Sequence, residues 1–148
     1  MGCDITCYAE KQQPDGDWQT VARVLDWRSY GMYGFLGNVR NYSDVPFLSF
    51  RRGLPENCSV LPEYERYGEH FGASWLDVQE LLNFDYDATF EDRRYTKQIG
   101  PGCWDGGSTC EPGNGVEITF REFLGTGFFE ELGRLVELGA DRIVFWFD

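Results

Sequence analysis

The sequence predicts an α+β fold: one domain with a mainly antiparallel sheet that contains both chain ends, packed by about three helices and joined by long irregular loops. Three observations predict it. The stretch Gly2 to Glu10 alternates, with Cys3, Ile5, Cys7 and Ala9 on one face and Asp4, Thr6, Tyr8 and Glu10 on the other, which is the period of a half-buried strand. Arg142 to Phe147 is a β-branched and aromatic run preceded by Gly139, the composition of a second strong strand. Between the two, apolar residues recur at helical spacing in three places.

Taken in order, Gln13-Pro-Asp-Gly-Asp17 has turn chemistry and Trp18 to Leu25 resumes an extended pattern, so the first two strands form a hairpin. Met32, Phe35, Leu36 and Val39 repeat at i, i+3, i+4 and i+7, predicting a helix over Ser29 to Arg40. Gly31, Gly34 and Gly37 recur along it, serving either close packing or the approach of a ligand to the backbone. Tyr42 to Pro62 reads as irregular because of its prolines and Gly53, with Phe47, Leu48 and Phe50 as anchors onto the core. Ser74-Trp-Leu-Asp77 has a capping-box pattern, and Trp75, Val78, Leu81 and Leu82 supply the stripe of a helix over Trp75 to Asn83.

Asp85 to Lys97 reads as solvated loop or short strand, and Gly100 to Gly115 as loop by composition. The glycines of that loop lack the lysine and the following serine or threonine of a phosphate-binding loop. Thr119-Phe-Arg-Glu122 is another capping box, heading a helix over Phe120 to Leu138 that Gly139 terminates.

The bulk composition narrows the function. No linker or composition shift divides the 148 residues. Neither a signal-peptide pattern nor an apolar run of membrane-crossing length is present, so a soluble, intracellular protein that does not engage membranes is expected. Cys3, Cys7, Cys58, Cys103 and Cys110 form an odd, irregularly spaced set, which predicts reduced thiols without a disulfide. Cys3 and Cys7 would lie about 13 Å apart on a regular strand, as small core residues. His70 is the one histidine, so neither a metal centre nor a Cys-His nucleophile pair has a recognisable spacing, and no cofactor is expected. No catalytic signature appears elsewhere.

The basic residues are unusual in kind: eleven arginines stand against two lysines, Lys11 and Lys97, in a chain of net charge −12. From Trp27 to Gly53 the chain carries Arg28, Arg40, Arg51 and Arg52 against Asp44 alone. Guanidinium forks suit phosphate and stack on rings. This predicts a ligand site for a small phosphorylated, nucleotide-like molecule, with Arg28, Arg40, Arg51 and Arg52 on the anion, Trp27, Tyr30 and Tyr33 stacking, and Asn41 reading a polar edge. Pairing of these arginines with the acidic surplus is the plainer alternative. The acidic exterior itself repels nucleic acid, so no direct nucleic-acid binding is expected, and it could instead mimic a phosphate backbone toward a defence nuclease. A sheet edge or the glycine-lined helix could also serve a homo-oligomer.

The opening Gly2-Cys-Asp-Ile5, Arg28-Ser-Tyr30, Val39-Arg-Asn41, Arg52-Gly-Leu-Pro-Glu56, Ser74-Trp-Leu76 and the closing Phe145-Trp-Phe-Asp148 together resemble a family of phage and prophage proteins without an established activity. Members of that family carry a histidine where this chain has Thr6, and a histidine-rich motif where it has Glu69-His-Phe-Gly-Ala73. A metal or catalytic role of those histidines would be lost here. The resemblance implies a viral accessory protein, cytoplasmic in a bacterial host, that counters defence without catalysis, by sequestering a nucleotide signal or by blocking a host defence protein.

Overall fold

The computed structural model describes residues 2–66, 68–96 and 109–148. Its elements run β1 (Ile5–Gln12), β2 (Trp18–Arg23), α1 (Tyr30–Gly37), α2 (Leu61–Arg66), β3 (Phe71–Asp77), α3 (Val78–Asn83), β4 (Thr89–Asp92), β5 (Val116–Thr119), α4 (Phe120–Leu124), α5 (Thr126–Glu137) and β6 (Arg142–Phe147). These group into two compact units, one drawn from Met1–Arg28, Ser49–Phe84 and Gly127–Asp148, the other from Ser29–Leu48 and Asp85–Thr126.

The first unit is built on a four-stranded antiparallel sheet of order β2-β1-β6-β3, so the N- and C-terminal strands are neighbours in one sheet. Register sets its two faces. Ile5, Cys7 and Ala9 stand opposite Phe147, Phe145 and Ile143, all fully buried, as the alternation predicts. On the other face Tyr8 stands opposite Val144 and Glu10 opposite Arg142. That second face is covered by the irregular segment 53–60 and by α2: Leu54, Cys58, Val60 and Tyr64 pack with Tyr8, Ala73, Trp75, Val144 and Trp146.

The α5 helix buries Phe128, Leu132 and Leu135. It closes as a Schellman turn: Gly139 sits at φ 65° with its N–H on the Val136 carbonyl, and the Ala140 N–H reaches the Leu135 carbonyl. Its other end differs from expectation. The predicted single helix from Phe120 to Leu138 is broken at Gly125, whose φ of 81° ends α4 before α5 begins.

Three further expectations are corrected. Trp75, Leu76 and Asp77 belong to β3, because Trp75 and Leu76 pair with Val144 and Ile143, and tertiary pairing overrides the helical stripe. The helix starts three residues later, where the Glu80 carboxylate accepts from the Asp77 N–H. Phe47 and Phe50 are 48% and 52% exposed rather than buried anchors of the long loop; its buried apolar residues are Val45 and Val60. Glu10, expected to face outward, is fully buried.

The second unit contains α1, the two-stranded antiparallel sheet of β4 and β5, and α4. Thr119 caps α4 as predicted, its hydroxyl accepting from the Glu122 N–H. Ser29 likewise caps α1 through the Met32 N–H, and α1 ends at Gly37, where Asn38 turns left-handed at φ 56°. Two of its glycines have packing reasons: a Cβ on Gly31 would stand 2.9 Å from the Phe123 ring, and one on Gly34 would stand 2.7 Å from Asn41 Oδ1.

Candidate functional site

The fate of the arginines decides what the predicted site can do. Among the described residues eight of them form ion pairs with carboxylates. Much of the arginine bias therefore neutralises the acidic surplus, as the plainer alternative expects.

The predicted ligand-binding residues fall in both units. In the first, Arg28 directs Nε and Nη2 to Asp4 Oδ1 at 2.9 Å. Arg52 grips Glu80 with both terminal nitrogens, at 2.9 and 2.8 Å, donates to the Trp75 carbonyl and lies 5.2 Å from the Trp75 ring centre. That fork raises the pKa of Arg52 and lowers that of Glu80, the mutual hydrogen bond being the largest cause. Both arginines are thus committed within the fold. Trp27 is half-buried beside Gly127. Arg51 is exposed in a left-handed conformation, φ 50°, and lies over the Phe50 ring at 5.3 Å.

In the second unit Tyr30, Arg40 and Tyr42 come together. The Arg40 guanidinium lies 5.6 Å from the Tyr30 ring centre and donates to the Tyr42 hydroxyl at 3.2 Å. The Tyr30 and Tyr42 rings meet edge-on at 6.1 Å, and all three residues are half-buried. Arg40 adopts φ 49°, a left-handed backbone costing about 1 kcal/mol or more for a non-glycine residue.

Two predicted members of the site are not available to a ligand. Tyr33 is fully buried, so it cannot stack on one. The Asn41 amide is saturated: its nitrogen donates to Asn38 Oδ1 and the Val45 carbonyl, and its oxygen accepts from the Val45 N–H and the Ser43 hydroxyl. It fixes the turn after α1. A cleft of about 210 Å³ in the same unit is lined by Thr89, Phe90, Glu91, Gly115 and Glu117, and its carboxylates make it unsuited to anions.

Sequence reasoning missed a polar cluster on the second face of the sheet. Arg142 donates from Nε to Glu10 Oε1 at 2.6 Å, and its guanidinium lies 3.4 Å from the Trp18 ring centre. Glu10 Oε2 accepts from both the N–H and the O–H of Ser59 at 2.6 Å, and Ser59 also meets the Thr20 hydroxyl. The signal for it was the position of Glu10 and Arg142 on the strands at either end of the chain, whose pairing puts them side by side. Nearby, burial raises the pKa of Cys58, and deeper burial raises that of Cys7 far above the ordinary thiol range. Neither thiol is an activated nucleophile. Cys103 and Lys97 lie outside the described residues.

Among the described residues no group of three or more histidine, cysteine or acidic side chains could hold a metal ion, and no helix is long and apolar enough to cross a membrane. No protein family, curated protein or solved structure matches the chain.

Proposed function

We propose that this chain is a non-catalytic binder of a small phosphorylated, nucleotide-like ligand, and that Tyr30, Arg40 and Tyr42 carry the binding. The observation behind this reading is the half-buried guanidinium of Arg40, held over Tyr30 and steadied by the Tyr42 hydroxyl. A guanidinium presents five N–H donors in a plane, and a ring-backed cation in a partly desolvated site attracts an oxyanion more strongly than one in open water. The two tyrosine rings add surface on which a base can stack. The resemblance to phage proteins supports sequestration of a host immune signal as the use of such binding. Arg28 and Arg52, engaged by Asp4 and Glu80, serve the fold in this reading, while Arg51 remains an exposed accessory cation.

The test is incubation with a panel of mono-, di- and cyclic nucleotides, followed by thermal-shift measurement and heat release of whatever is bound. One or more nucleotides should raise the melting temperature and be recovered unaltered. A chemically changed product would make the protein an enzyme, and no shift with any nucleotide would remove the reading. A second reading then takes precedence: acidic residues number 25 against 13 basic ones, so the ion pairs leave a surplus of carboxylates that suits a basic groove of a host defence protein. Salt-sensitive inhibition of a purified nuclease would be its signature.

A further inference from the structure

Three buried side-chain atoms among the described residues have no hydrogen-bond partner within the protein: Glu63 Oε2, His70 Nδ1 and Arg142 Nη2. Buried polar atoms are nearly always satisfied, so their coincidence in one place asks for a reason. All three adjoin the segment 53–66. Glu63 lies on α2 within it. The His70 ring stacks on Tyr64 of the same helix at 3.7 Å, with Nε2 2.8 Å from the Tyr64 carbonyl. A carbonyl only accepts, so Nε2 carries the hydrogen of that bond, and Nδ1 faces no protein partner. Arg142 bonds to the carboxylate that ties down Ser59.

The attachment of this segment to the sheet is mostly through side chains. Among the described residues its one backbone-to-backbone bond to a strand is Gly53 N–H to the Ala73 carbonyl. Beyond the apolar contacts, the ties at the far side are the two bonds from Ser59 to Glu10 and the meeting of its hydroxyl with that of Thr20 on β2. Beneath lie the rings of Tyr8, Trp75 and Trp146. Segments with few backbone bonds to their surroundings open at lower free energy than the strands beneath them, and each stranded polar atom regains water on opening.

We propose that residues 53–66 are a lid over this aromatic floor, latched by Glu10 and Ser59 and biased toward opening by the stranded Oε2 of Glu63. Opening exposes the three rings and the Arg142 guanidinium while β1, β6 and β3 stay paired.

Amide hydrogen exchange resolved to single residues tests this on the full chain. The Ser59 and Tyr64 amides report the lid, and those of Val144 and Phe145 report the sheet in the same sample. In the wild type the lid amides should exchange at least about tenfold faster than the sheet amides. Ser59→Ala should speed Tyr64 exchange by about tenfold further with Val144 and Phe145 unchanged. Glu63→Ala should act in the opposite sense and slow Ser59 and Tyr64 exchange several-fold, because it removes a stranded oxygen from the closed form. Equal rates for lid and sheet in the wild type would overturn the proposal. So would faster lid exchange in Glu63→Ala, which is what loss of an ordinary structural side chain produces.

Discussion

Of the arginines that lie over aromatic rings, Arg142 and Arg40 differ most plainly in their surroundings. Arg142 is almost wholly buried, is met by the Glu10 carboxylate at 2.6 Å and lies over Trp18 at 3.4 Å. Arg40 is half-buried, is met by the Tyr42 phenol at 3.2 Å and lies over Tyr30 at 5.6 Å. A carboxylate cancels the charge it meets. Arg142 therefore belongs to the architecture of the sheet, and Arg40, half-buried beside two tyrosines, is the one proposed to take an anion.

The contrast can be broken first at Arg142. Arg142→Ala strands Glu10 as a buried charge and should cost about 3–5 kcal/mol in urea denaturation. Replacing both members, Glu10→Leu with Arg142→Met, should recover most of that loss, since removing a buried pair together is far milder than removing half of it. Full retention of stability in Arg142→Ala would show that the pair is not a structural one.

Arg52 gives an intermediate case. Its fork onto Glu80 is about one-third exposed, so Arg52→Ala should cost on the order of 1 kcal/mol after solvent screening and leave ligand binding unchanged. The pH dependence follows from Glu80. Its folded pKa is lowered below its ordinary value of 4.5, so this contribution is present above about pH 4.5 and is lost as pH falls through the depressed pKa. Stability measured from pH 6 downward should lose that increment in the wild type, while Arg52→Ala lacks it throughout.

Arg40→Ala should change stability less than any of these, by under about 1 kcal/mol, because it removes a partly exposed contact with rings and a phenol. Arg121→Ala marks the lower limit. Both Arg121 and Asp87 are well exposed, and no change in melting temperature is expected.

How much of this was readable beforehand depended on periodicity. The apolar face of the sheet, with Ile5, Cys7 and Ala9 against Phe147, Phe145 and Ile143, follows from alternation at the two ends of the chain. The Thr119 cap and the Gly139 turn follow from local chemistry. Trp75 misled because it fits both a helical stripe with Val78, Leu81 and Leu82 and a strand, and only pairing with β6 decides between them. The covering of the second face has no period at all: an irregular segment buries Glu10 by meeting it with Ser59, 49 residues away. For the candidate site, local charge and aromatic content located Tyr30 and Arg40. They could not reveal that Asp4 and Glu80 engage Arg28 and Arg52, or that the turn after α1 saturates Asn41.

The central claim is that Arg40 holds the anion. Calorimetric titration of wild type, Arg52→Ala and Arg40→Ala with the nucleotide giving the largest thermal shift tests it most directly. Saturable binding should appear in the wild type, persist in Arg52→Ala and weaken by about tenfold or more in Arg40→Ala, the loss that removing a charge-assisted hydrogen bond produces. Equal affinity in Arg40→Ala and wild type would contradict it.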